Sequence, residues 1–311
     1  SDLEHDAPTF TTSSYGGPGD LIIQSAGTTF TSPVALAGSK ILSTLGSLTL
    51  GKTSNTQYLN LSGNFITVGA QTYNSDPAHN NGTGFDATNR GIRLTGATSF
   101  VTTNADIVLN GTVYSNSGAM NLTVNAGTGG ITLAGNLGTW TGGDARALDN
   151  VSLTGGVITA HNIRATNFSI ENSGDSTITG RITWDSTGIT KGGAGKLAFT
   201  NVDPIAANLY SGGLTVTGGT VSASNAEAFG ASGTITLNGG HLELTGDVSL
   251  NHAVVLGADA QISVASSKTF TLLGEVSSSG NLTKAGAGTL VLGGDNSYSG
   301  TTTISAGTLK V

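Results

Sequence analysis

The chain has 311 residues, a net charge of −7 and a pI near 5.0, and only 10% of its residues are charged, against the ~25% usual in a globular protein. Its 12 Lys and Arg are scattered, which excludes the basic stripe of a nucleic-acid binder and the polybasic patch of a membrane-surface protein. Gly reaches 48 residues and Cys is absent, so neither a disulfide framework nor a Cys-based metal site is available, and no apolar run approaches the ~20 residues of a membrane-spanning helix.

In chain order, short alternating runs dominate. LGSLTLG (45–51), YLNLSG (58–63), GIRLTG (91–96), ADIVLNGTVY (105–114), MNLTVNAG (120–127) and GITLAGNLG (130–138) each place an apolar residue at every second position. VSLTGGVITA (151–160), TITGRITW (177–184), GTITLNGGHLELTG (233–246) and KTFTLLGEV (268–276) continue the pattern. That is the period of a half-buried strand, and the Gly, Asn and Asp at the run ends accept the left-handed backbone of tight turns. One segment breaks the rhythm. NSDPAHNNGTGFDATNR (74–90) has little alternation and reads as a loop extruded from the scaffold, with Asp76, His79, Asp86 and Arg90 as candidate binding residues. Helical periodicity is confined to one turn at 225–229, with Asn225 as N-cap and Gly230 as its stop.

Without crossover helices a doubly wound α/β fold is excluded. Five prolines and no charged linker argue against a string of sandwiches, and two tryptophans are too few for the aromatic signature of propeller blades. The pattern predicts an all-β chain, a right-handed parallel β-helix (solenoid) with three short strands and three turns per coil. At roughly 20–25 residues per coil the chain makes about 13 or 14 coils, a rod of roughly 65 Å at ~4.8 Å per coil. The alternating pattern is still running at Val311 and no signal peptide opens the chain, which predicts a piece of a larger protein.

A long repeat lies near the end. Lys191, Gly193, Gly195, Leu197 and Phe199 align with Lys284, Gly286, Gly288, Leu290 and Leu292; Tyr210, Gly212, Val216, Gly219 and Val221 align with Tyr298, Gly300, Ile304, Gly307 and Leu309. From about Ser186 to Val311 the chain resembles the β-helical passenger of bacterial autotransporters. The resemblance centres on the passenger-associated transport repeat, filled here by Gly286, Gly288, Leu290, Leu292, Tyr298, Gly300, Thr302, Ile304, Gly307 and Leu309. The copy at 191–223 departs from it: Phe199 replaces Leu, the middle is longer, and Leu214 stands where Thr302 does. The N-terminal part, in GAMNLTVNAGTGGITLAGNLG (118–138) and ITVGAQTYN (66–74), resembles repeats of haemagglutinin-like exoproteins. The division this suggests is 1–185 with haemagglutinin-like repeats and 186–311 with transport repeats, in one continuous rod. The resemblance implies export through an outer-membrane β-barrel, followed by surface display or release.

Catalytic signatures are weak. GSLTLGKT (46–53) fits the P-loop expression, but Leu48 and Leu50 alternate through the supposed loop and no helix follows Lys52. Gly174-Asp175-Ser176 is similar to a stretch of secreted serine hydrolases, but Thr177 follows it and no base is placed beside Ser176. His5, His79, His161, His241 and His252 form no zinc spacing, and Gly192-Gly193-Ala194-Gly195 continues as Lys196 rather than as a calcium nonapeptide. Asp144, Arg146 and Asp149, with Trp140 and Trp184, are the residues that a polysaccharide-binding or polysaccharide-cleaving groove would use. Asn60, Asn81, Asn110, Asn121 and Asn281 precede x-Ser/Thr; stacked asparagines in a coil can also bond along the stack.

The expected function is therefore that of an adhesive or self-aggregating passenger segment and rigid stalk, non-enzymatic and without cofactor. Its expected partners are a host-cell or matrix receptor, a glycan or another copy of itself, together with its own outer-membrane β-barrel translocator, and no nucleic acid. The alternative is the polysaccharide-active β-helix.

Overall fold

Each of these alternating runs contains at least one strand in the structure, a computed structural model. The described residues are 59–74, 91–115, 118, 120–138, 147–183, 188–200 and 210–311, with seven short strands between Leu3 and Leu50. The chain is a β-solenoid in which each strand pair is parallel, as a coil demands when each turn returns one layer up. Among the described residues no helix is long and apolar enough to cross a membrane. Two compact units divide the chain, Ser1–Thr166 and Asn167–Val311.

In the first unit, two stacks of strands carry the inward side chains in register. Phe65, Phe100, Val124 and Leu153 form one column. Leu50, Tyr73, Leu109 and Leu133 form another, and all eight are buried. The third side of the coil comes from the chain bending within a single long strand. Ile92–Thr102 pairs through Ile92–Leu94 with Val113–Ser115, shifts register, and pairs through Thr98–Val101 with Leu122–Asn125. An aromatic cluster fills the coil nearest the expected loop: the rings of Tyr73 and Phe100 lie 4.4 Å apart and those of Phe65 and Phe100 5.4 Å apart. Gln71 occupies an inward slot among them. It donates to the Phe65 and Val101 carbonyls (2.9 and 2.8 Å) and accepts from the Tyr73 hydroxyl (2.9 Å), so these polar groups are buried at little cost.

In the second unit the same logic repeats with shorter coils. Phe168, Ile189, Leu214, Ile235, Val254 and Val276 stack in one column. Partners on successive coils are separated by 19 residues (Ile235 and Val254) to 25 residues (Ile189 and Leu214), close to the expected coil length. The turn at 225–229 is a single 3-10 turn, Ala226–Phe229, whose N–H of Ala228 donates to the Asn225 side chain and whose stop is Gly230 at φ 79°. It supplies the third side of its coil and packs against Val248–Leu250. From that strand onward a true third sheet appears: Val248–Leu250, Thr269–Leu272, Thr289–Leu292 and Thr308–Lys310. Among the described residues, the expected three strands per coil form a separate third sheet from Val248 onward, whereas Ala226–Phe229 and the bent strand Ile92–Thr102 take the third side of their own coils.

Candidate functional site

The transport repeat is a stack of two coils, because its two halves pair with each other. Lys284 partners Ile304 and Leu290 partners Leu309; one repeat earlier, Lys191 partners Val216 and Leu197 partners Val221. The two copies do not lie on the same sides of the coil. Lys191 and Lys284 belong to different sheets, and so do Leu197 and Leu290. Since each side of the solenoid offers the same inward–outward alternation, the motif fixes a local two-coil geometry and leaves its position around the coil free.

Its glycines make room for that stack. Gly286 and Gly307 sit at φ 72° and 73°, where a side chain is strained, and a Cβ on either would run into a carbonyl oxygen of the coil beneath, Val264 or Gly288. Leu290 and Leu292 are buried in the third sheet. Tyr298 is half-buried and shares a 2.6 Å hydrogen bond with the Thr302 hydroxyl. In the earlier copy the next coil covers the equivalents. Tyr210 is fully buried and donates to the Ala228 carbonyl at 2.9 Å, burial pushing its hydroxyl pKa up, and Leu214 and Val216 are buried too.

The two repeats also align two lysines, and both are part of the core. Lys191 and Lys284 are fully buried, each pointing inward in a core column. Lys284 lies between Ile262 and Ile304; Lys191 lies between Ile170 and Val216. The Lys284 ammonium donates to the carbonyls of Ala285 (2.7 Å), Gly286 (2.8 Å) and Ala306 (3.1 Å). That of Lys191 donates to Gly192, Gly193 (3.1 Å) and Gly218 (3.2 Å). Burial lowers both pKa values, that of Lys191 to about 8, with the Glu171 carboxylate partly restoring it. The signal in the sequence was the phase: in ILE-type alternation such as Gly188–Gly192, Lys191 falls on the inward beat with Ile189.

Polar ladders run along the coil edges. Asn110 donates to Asn74 (2.8 Å), Asn150 to Asn121 (2.9 Å) and Asn162 to Asn136 (2.9 Å). Over three coils, Asn281 donates to Asp259 (2.8 Å) and accepts from the Thr301 N–H and hydroxyl (2.8 Å each). Asn110 and Asn121 thus each stack on another asparagine, whereas Asn281 bonds Asp259 and Thr301. The outward positions form columns as well: Ser169, Thr190, Thr215 and Thr236 are in register on successive coils, as are Ser99, Thr123 and Ser152 in the first unit.

Of the other candidates, Leu48 and Leu50 are buried on the strand Ser47–Leu50, which leaves no phosphate-cradling loop there; Lys52 lies outside the described residues. Ser176 is buried on a strand, its hydroxyl donating to the Gly174 carbonyl at 3.2 Å, out of reach of a substrate. Asp76, His79, Asp86 and Arg90, and likewise Trp140, Asp144, Arg146 and Trp184, lie outside the described residues. The coil that contains 74–90 is nevertheless longer than the next: Gln71 partners Ile107, 36 residues on, whereas Ile107 partners Ile131, 24 residues on. The strands Leu59–Thr67 and Gln71–Asn74 before the segment pair with Ile92–Thr102 and Ile107–Asn110 after it. Among the described residues no group of three His, Asp or Glu is placed to hold a metal.

The passenger-associated-transport-repeat family matches residues 189–223 and 282–311, both copies. The chain is 35% identical over 106 residues to the Adhesin BmaC autotransporter of Brucella suis biovar 1 (strain 1330), a match covering 33% of this chain and 3% of that protein. No solved structure matches the chain significantly. The paired-coil geometry, the two repeat matches and the autotransporter relative agree in supporting an autotransporter passenger segment that carries transport repeats and is displayed on the cell surface or released from it.

Proposed function

We propose that this segment is a rigid, non-enzymatic adhesive part of its passenger, gripping through the flat polar sides of its coils. The observation that carries this reading is the in-register column of hydroxyls, Ser169, Thr190, Thr215 and Thr236. Strands fix these groups about 4.8 Å apart, so a partner with a matching repeat of polar groups meets several at once without ordering the scaffold first. The partner is a glycan, a matrix or host-cell protein, or a second copy of the chain, and the passenger's own outer-membrane β-barrel carries it out. The name of the relative, an adhesin, supports the same reading. The segment 75–90, with Asp76, His79, Asp86 and Arg90, is a second candidate contact.

The test is binding of the chain, with and without residues 75–90, to cells and to arrays of glycans and matrix proteins. Retained binding by the shortened chain places the grip on the coils. Loss of binding moves it to the segment, and no binding by either form leaves a stalk.

A further inference from the structure

We propose that each transport repeat is a lysine-clamped pair of coils that closes in one step, with the buried lysine as its register key. In both copies the lysine stands in the first half and bonds across to the second. Its stem replaces an aliphatic side chain in a core column, and its ammonium bonds the turn that follows its own strand and then one carbonyl of the turn above, Ala306 for Lys284 and Gly218 for Lys191. The residue after that carbonyl is a left-handed glycine in each case, Gly307 and Gly219. A Cβ there would lie only 2.8 and 2.9 Å from the ammonium nitrogen. The second-half glycine of the motif therefore opens the seat for the first-half lysine.

This arrangement travels with the motif. It recurs on different sides of the coil in the two copies, so the surrounding side chains do not dictate it. The ammonium also discriminates. With the second half absent, or stacked one position out of register, a charge is left in an apolar column without its third acceptor, which is strongly unfavourable. The first half is thus unfinished until the second half arrives, and the two coils gain order together.

Two measurements on the whole chain test this. Under hydrogen exchange, Lys191→Met should loosen Lys196–Phe199 together with Leu214–Val216 and Thr220–Ala223, each by about tenfold or more, while Thr289–Leu292 keeps its protection. Loosening of one half alone, or of neither, would overturn the proposal. With an amine-reactive ester, Lys191 and Lys284 should resist labelling while Lys196, Lys268 and Lys310 react. Removing residues 301–311 should unmask Lys284 and leave Lys191 masked, which shows that the rest of the chain stays folded. Continued masking of Lys284 in the shortened chain would show that the first half closes alone and would refute the clamp.

Discussion

Gly118 and Gly286 share a left-handed backbone, at φ 68° and 72°, but not their surroundings: a Cβ on Gly118 meets nothing within 4 Å, and one on Gly286 runs into the Val264 carbonyl. Gly118→Ala should therefore cost about 1 kcal/mol, the strain of the conformation alone. Gly286→Ala should cost about 3 kcal/mol or more, because the coils must also part; urea midpoints of the two variants measure the difference. The buried lysines make a second prediction. Because the folded-state pKa of Lys191 lies at about 8 against 10.5 for the free side chain, the unfolded chain holds the extra proton between those values. The contribution of this residue to stability therefore rises with pH from about 8 to 10.5. Lys191→Met should lack that rise. Identical pH profiles of urea stability for the two chains would show that the lysine titrates normally.

At the scale of the element, each strand gains its stability from the two coils it touches, so damage should stay local. Leu290→Ala removes a fully buried side chain between Phe270 and Leu309 and should cost about 2–5 kcal/mol. Hydrogen exchange should show the loss in Thr269–Leu272, Thr289–Leu292 and Thr308–Lys310, with Ile131–Leu133 unchanged. Asn281→Ala breaks a ladder that joins three coils but lies at the surface, and should cost only about 1 kcal/mol. The strands and their inward residues were legible because alternation is a direct record of burial in a coil. The helical turn Ala226–Phe229 was legible too, since Asn225 and Gly230 are its chemical punctuation. Two features were not. Alternation is the same on every side of the coil, so it cannot tell that the second repeat lies one side further round. A lysine on the inward beat looks like an error of phase until its three carbonyl partners are seen.

At the scale of the molecule, the transport repeat occupies the interior of the solenoid, with its glycines and leucines spent on stacking. Grip has to come from what faces outward. The columns of Ser and Thr are the most regular outward feature of the described residues, and their fixed spacing comes from the strands rather than from any one side chain. Function at this scale was only partly legible in the sequence, because outward Thr and Ser carry no signature of a partner, and the loop residues singled out by composition lie outside the described part. Grip by the hydroxyl column is tested by comparing cell and matrix binding of the unmodified chain with that of Thr190→Arg/Thr236→Arg, two changes that place bulky charges in the column and leave the inward residues intact. Circular dichroism should be unchanged and binding weakened by about tenfold or more; equal binding by the two chains, or none by either, would contradict a grip through the column.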